Sequence, residues 1–177
     1  VYRELHYYFF NEGKTLSLTE SFCEFCPLIF DLDMKYDGFN KADRIYTKTE
    51  ICSIVSLLWK TIQNYFNLID DNQDECWITE KKEPYCTMNT DTSTYCIKDG
   101  IHIIFPNIIG HRKVFQEFMK LFTQDSLVSQ LETIFITKPT NELSSIIDTN
   151  VQRWFVYGDG KQGRSPYLLT HIIHCDN

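Results

Sequence analysis

The chain has 177 residues, 43% hydrophobic and 15% aromatic, with no low-complexity tract or repeat, the composition of one globular domain able to bury roughly 70% of its unfolded surface. No apolar run approaches the ~18 residues of a membrane span, and the start at Val1, without a methionine or a signal-peptide pattern, reads as the start of a piece cut from a longer polypeptide. With 24 acids against 17 bases the formal charge is −7, the wrong sign for broad binding to a phosphate backbone, so any nucleic-acid contact has to be local.

Residues 6–11, HYYFFN, predict a first strand, and 26–36, CPLIFDLDMKY, a second that runs from an apolar stretch out to a polar surface. Thr47 and Glu50 have the spacing of a capping box, and Ile51, Ile54, Val55, Leu58, Ile62, Tyr65 and Ile69 recur at helical intervals, which predicts a long amphipathic helix. DDNQDE at 70–75 is a polar break, CWITEK at 76–81 a short strand, and 83–94 a loop rich in Thr, Asn and Asp. YCIKDGIHIIFP at 95–106 reads as a bent strand with Gly100 inside and Pro106 ending it. Val114, Phe115, Phe118, Leu121 and Phe122 mark a second helix. Beyond a loop around Pro139, QRWFVYG at 152–158 and PYLLTHII at 166–173 predict two more strands, neighbours of hairpin type. Strands and helices in this order predict an α+β domain spanning 1–177, a mainly antiparallel sheet with helices on one face.

The second strand ends on two acids. Along a strand, residues i and i+2 face the same way roughly 6.5–7 Å apart, so Asp31 and Asp33 of D-L-D project together while Leu32 packs behind them. Two carboxylates so placed repel, and a hard divalent cation such as Mg²⁺ or Mn²⁺ removes that cost by taking oxygen ligands from both; a solvated strand end is the plainer alternative. In KDGIHIIFP, His102 lies on the strand face opposite Ile101 and Ile103, just after a glycine that lets another backbone or a ligand come close. It is either a satisfied core histidine or, beside a metal pair, an N–H donor to a phosphate oxygen. In SIIDTNVQRWFVYGDGKQGRSPY at 145–167, Asp148 follows an apolar pair, Arg153 lies in a strand-like run, and Lys161 sits in a glycine-punctuated turn. A third carboxylate can complete a two-metal site and Arg and Lys can neutralise a triphosphate, although a hairpin turn with a solvated lysine explains the turn by itself. The spacing of a Walker A loop is absent. Basic residues gather here, with Arg164, and again at Arg112 and Lys113.

D-L-D, then G-I-H-I-I-F-P, then D-T-N-V-Q-R-W-F with G-D-G-K, in that order over about residues 28–170, resembles the archaeo-eukaryotic primase superfamily, and within it the primase domain of the primase–helicases of nucleocytoplasmic large DNA viruses. The resemblance implies an RRM-like sheet joined to a second α/β unit, with an active site in the cleft between them. It implies that Asp31, Asp33 and Asp148 hold two catalytic Mg²⁺ or Mn²⁺ ions, and that His102, Arg153 and Lys161 contact the phosphates of an incoming nucleoside triphosphate. It further implies a DNA primase or primase–polymerase acting on a single-stranded DNA template, tethered to a C-terminal helicase, at viral replication sites in the host cytoplasm. Gly100 stands where the family pattern has serine, so its amide has to replace a hydroxyl contact. Val156 and Asp159 stand near positions where the pattern has a second arginine and a serine, and Arg164 is placed to compensate.

Seven cysteines, an odd number beside strand and helix patterns, indicate a reducing compartment and free thiols. Cys23 and Cys26 have zinc-knuckle spacing and His171, His174 and Cys175 could complete a site, but Cys26 leads straight into an apolar strand and no second C-x-x-C exists, which favours thiols over zinc. Two other functions compete with the primase: another D-x-D transferase using nucleotides, which leaves the second and third motifs unexplained, and a catalytically weak nucleic-acid-binding module of a replication protein.

Overall fold

The structure, a computed structural model, describes residues 2–38, 44–70, 72–89, 93–151 and 153–175. In chain order the strands are β1 (Thr19–Ser21), β2 (Phe25–Asp37), β3 (Glu75–Lys81), β4 (Tyr85–Asn89), β5 (Thr94–His111), β6 (Arg153–Phe155) and β7 (Tyr167–His174), and the helices are α1 (Tyr2–His6), α2 (Lys48–Tyr65), α3 (Arg112–Met119) and α4 (Asp125–Ile134). Five strands form an antiparallel sheet in the order β2-β5-β3-β7, with β4 paired to the first part of β5. The third strand of the β2-α2-β3-β5 unit thus lies between the first two, the RRM-like arrangement. β1 and β6 form a separate two-stranded sheet.

Alternation gives the large sheet two chemically distinct faces. Leu28, Phe30, Leu32 and Met34 of β2, Ile78 of β3, and Ile101, Ile103 and Phe105 of β5 are wholly buried on one face. Against them pack Ile54, Val55, Leu58 and Ile62 of α2 with Phe115, Phe118 and Phe122. The Phe30 ring meets those of Phe105, Phe118 and Phe122 edge-on at 5.6–6.3 Å. The α2 capping box forms as its spacing predicts, and buried Glu50 also accepts from the Ile136 amide at 2.8 Å, tying the start of α2 to the segment after α4. The expected α+β architecture, antiparallel with helices on one face, is what is found. Among the described residues no helix is long and apolar enough to cross a membrane.

Several elements differ from expectation. Residues 6–11 are not a strand: α1 runs into a π-helical turn over Tyr7–Asn11, where the rings of His6 and Phe10, four apart, meet at 4.6 Å, tilted by 36°, a contact that helical spacing creates and a strand cannot. Pro106 does not end β5. The pairing of β2 with β5 jumps from Leu28↔Phe105 to Pro27↔Ile109, because a proline has no N–H for the ladder and the chain bulges around it. The loop expected over 83–94 contains β4, which pairs with the start of β5; residues 90–92 lie outside the described residues. Ile69 lies beyond the end of α2 and is 85% exposed. The last two strands are not a hairpin, since β6 pairs with β1 and β7 with β3; Gln152, assigned to the first of them, lies outside the described residues, as does Asp71 of the polar break.

A buried charge cluster braces the core face. The Arg44 guanidinium donates to Glu80 Oε1 at 2.5 Å and to Asp99 Oδ2 at 3.2 Å, and it also reaches the Lys81 carbonyl. Glu80 accepts further from the Tyr46 hydroxyl at 3.0 Å and the Thr170 hydroxyl at 2.5 Å. Removing the cation strands two buried carboxylates, so Arg44→Ala should cost about 3–5 kcal/mol, read as a lower urea midpoint with unchanged m-value.

Candidate active site

The face of the sheet turned away from α2 and α3 carries the chemistry. Antiparallel register sets Asp31 opposite His102 and Asp33 opposite Gly100. Thr79 flanks His102 from the other side, and Lys81 pairs with Tyr167 one step further along. Asp148 arrives by a different route. Residues 146–148 run along the free edge of β2, with the Asp33 amide donating to the Ile146 carbonyl at 2.8 Å and the Asp148 amide to the Asp31 carbonyl at 2.9 Å. The three acids are therefore neighbours, although one comes from a segment more than a hundred residues later in the chain.

Their proximity is visible in the electrostatics. Burial, then the charges of Asp33 and Asp148, raise the Asp31 pKa to about 7, against the opposing pull of Lys81 and Lys161. Asp31 Oδ1 is closed from solvent and has no hydrogen-bond partner; His102 Nε2 approaches it at 3.5 Å without completing a bond. The imidazole is packed between Tyr167 at 3.6 Å and Trp154 at 4.0 Å, both nearly parallel to it. Burial, reinforced by Lys81, lowers the His102 pKa to about 3, so the ring is neutral and any bond it gives to a phosphate is that of a neutral N–H.

Across from the acids, Lys81, Lys98, Arg153, Lys161 and Arg164 line the same cleft, which encloses about 190 Å³. Two tyrosines hold the cations in place: Lys81 Nζ lies 4.8 Å from the Tyr85 ring and 4.7 Å from the Tyr167 ring, and Arg164 lies 3.9 Å from Tyr85. Burial lowers the Lys81 pKa, while Asp33 and Asp31 counter it. Asp31, Asp33, His102, Arg153 and Lys161 thus share one cleft with Arg164, and Asp148 stands at its edge. Arg112 and Lys113 open α3 and do not line it.

The departures at Gly100 and Asp159 have structural readings. The Gly100 amide donates to Asp99 Oδ1 at 2.9 Å, and a Cβ there would fall 2.5 Å from the Tyr167 hydroxyl. The space a serine would need is filled by a different hydroxyl. Asp159 is buried and accepts from four amides, those of Leu16, Ser17, Leu18 and Gly160. It anchors the turn that carries Lys161. Lys81, Tyr85, Trp154 and Tyr167 escaped sequence reasoning. Only the i+2 spacing of Trp77, Thr79 and Lys81 hints at a shared face, and nothing local says which strand lies beside it.

Among the described residues no three His, Cys, Asp or Glu side chains form a ready-made cage for a metal. Mg²⁺ rarely needs one, since it keeps waters and takes one or two carboxylates plus substrate phosphates. The unpartnered buried oxygen of Asp31, with Asp33 beside it, suits that mode. Cys23 and Cys26 precede and begin β2 at one edge of the sheet, while His171, His174 and Cys175 belong to the β7 edge, three strand spacings or roughly 14 Å away. Among the described residues no cysteine pair forms a disulfide.

A family model described as the C962R protein N-terminal AEP domain matches residues 2–173. The provisionally named helicase 184R of Invertebrate iridescent virus 6 is 27% identical over 179 aligned positions, which cover 92% of this chain and 18% of that protein.

A raised carboxyl pKa favours the folded state below the unfolded value near 3.8 and loses that contribution as pH rises through about 7. Asp31→Asn should therefore raise the melting temperature of the cation-free protein most at pH 8, with the gain shrinking towards pH 4. Added Mn²⁺ should stabilise the wild type and not the variant; a variant indifferent to both pH and Mn²⁺ would remove Asp31 from the cation site.

Proposed function

Because the chain belongs to the family of C962R-type N-terminal AEP domains, we propose that it synthesises primers, joining nucleotides on a single-stranded DNA template by divalent-metal-assisted nucleotidyl transfer. The observation that carries this reading is the unpartnered, charge-crowded carboxylate of Asp31 facing a row of cations across one cleft. Anions and a cation-seeking carboxylate pair are accommodated side by side, as a nucleoside triphosphate accompanied by Mg²⁺ or Mn²⁺ requires.

Asp31, Asp33 and Asp148 would hold the metal, and when bound it supplies positive charge between carboxylates and phosphates and increases the acidity of a primer 3′-hydroxyl. Lys161 on its anchored turn, Arg153 on β6, and Lys81 and Arg164, braced on tyrosine rings, line the cleft that would take the phosphates. His102, neutral and gripped between two aromatic rings, donates a hydrogen bond without exchanging protons with substrate. No protein nucleophile is needed, and selection of the nucleotide falls to base pairing with the template.

The chain spans 18% of the length of the relative it matches. The name of that relative supports the further proposal that a helicase unit lies in the same polypeptide, where a tether raises the local template concentration. A tether matters because only five of the 17 lysines and arginines of a chain at −7 line the cleft.

Primer synthesis on single-stranded DNA with Mn²⁺ or Mg²⁺ is the direct assay. Asp31→Ala or Asp33→Ala should abolish product while leaving a cooperative melting transition; product from a folded double variant would sink the assignment. The isolated chain should bind an oligonucleotide weakly, and a plot of log affinity against log salt should have the shallow slope of about two to four phosphate contacts. Tight binding with a steep slope would require a basic track elsewhere.

A further inference from the structure

Beside the acid-lined cleft, the same face carries a trough of about 440 Å³, within the size range of small-molecule sites. The two hollows share His102, Trp154 and Tyr167 as a wall, but their chemistry is opposite. Five lysine and arginine side chains line the cleft; among the described residues none lines the trough, which has Glu20 at its margin. Trp77 and Leu169 lie open on its floor at 37% and 40% exposure. The Trp77 indole is held in place by donating to Glu75 Oε1 at 2.5 Å.

Two polar groups beneath this apolar surface have no partner: the hydroxyl of Thr79, a residue only 5% exposed, and Nε1 of Trp154. Neither is reached by solvent, so each carries the cost of a hydrogen bond left unmade. A ligand that parts the two side chains and presents an acceptor edge recovers that cost. A phosphate is unsuited to a hollow with an acid and no cation. A flat, uncharged heteroaromatic ring suits it on every count: an indole face to stack on, apolar walls, and two groups able to donate.

We propose that the trough receives an unstacked nucleobase whose phosphates lie in the adjoining cleft, stacked on Trp77 and hydrogen-bonded by Thr79 Oγ1 and Trp154 Nε1. The proposal rests on the nucleotidyl-transfer reading above. Stacking tolerates any base because every base has a π-face. The indole N–H, which can only donate, adds a preference for an edge bearing an acceptor.

The test titrates the whole chain with a short oligodeoxythymidine, with the same backbone made abasic, and with a non-hydrolysable deoxynucleoside triphosphate. Trp77→Ala should weaken binding of a base-bearing ligand about 5- to 100-fold and leave the abasic strand unchanged. Thr79→Val should weaken the same ligand about 2- to 10-fold while raising the melting temperature, because it deletes an unpaired buried hydroxyl; a purely structural role would not move the two readouts in opposite senses. A loss confined to the oligonucleotide assigns the trough to a base of the strand, and a loss confined to the triphosphate assigns it to the incoming nucleotide; either supports a nucleobase site. Unchanged affinities in both variants, or an equal loss on the abasic strand, overturn it, and the trough would then be open to an apolar peptide partner. Primer synthesis by the same wild-type preparation separates the two possible failures: if it proceeds while affinities are unmoved, only the trough is wrong, and if it is absent, the underlying function is.

Discussion

The pairing register of β2 with β5 is the constraint on which the site depends. Side chains alternate along a strand with a period of two, so the register that buries Leu32 and Ile101 also turns Asp31, Asp33, Gly100 and His102 outward together. A slip of one residue would drive both acids into the aromatic packing around Phe30 and expose the core residues instead. The hydrophobic face thereby enforces the geometry of the polar one. The acids can sit in mutual repulsion because the burial of Leu28, Phe30, Leu32 and Met34 on the reverse side outweighs it.

That link explains why this part of the site was legible in the sequence. Asp31 and Asp33 stand in a strand whose apolar alternation is unmistakable, and His102 sits in another, so facing directions follow from spacing alone. The capping box at Thr47 and Glu50 was legible for the same reason, since every group it needs lies within four residues. Lys81 and Tyr167 were not legible. Each is an ordinary residue at the end of a strand, and its role arises from β7 lying beside β3, a pairing across about ninety residues that no local pattern encodes. The aromatic run at 6–11 misled because continuous tyrosine and phenylalanine satisfy strand preference, whereas the contacts that decide the outcome are the helical i, i+4 contact of His6 with Phe10 and the packing of Phe10 against Gly158. Asp159 reads as an ordinary turn acid, yet its carboxylate is consumed by amides some 140 residues away.

Net charge and local charge point in opposite directions in this chain. The overall −7 is a property of the whole surface, while the cleft gathers Lys81, Lys98, Arg153, Lys161 and Arg164 into one small volume. Low-dielectric walls of tyrosine and tryptophan focus that positive field inward, so an anion meets it at the mouth of the cleft and little of it elsewhere. The adjoining trough, with no cation among its described residues, sharpens the boundary between what binds by charge and what binds by contact.

The Asp159 anchor also bears on the order in which the protein can mature. The segment at 16–18 leaves the ribosome first, and the turn it is fastened to follows 141–143 residues later. The helix-backed strands β2, β3 and β5 can assemble in between, but the lysine-bearing turn joins the cleft only when these two distant segments meet, a loop closure whose entropic cost rises with the logarithm of length. A chain stalled or cut before residue 153 would present the carboxylates without Arg153, Lys161 and Arg164. The cleft is thus left unfinished until residues 153–164 have been made and fastened back, a form of quality control written into one hydrogen-bonded aspartate.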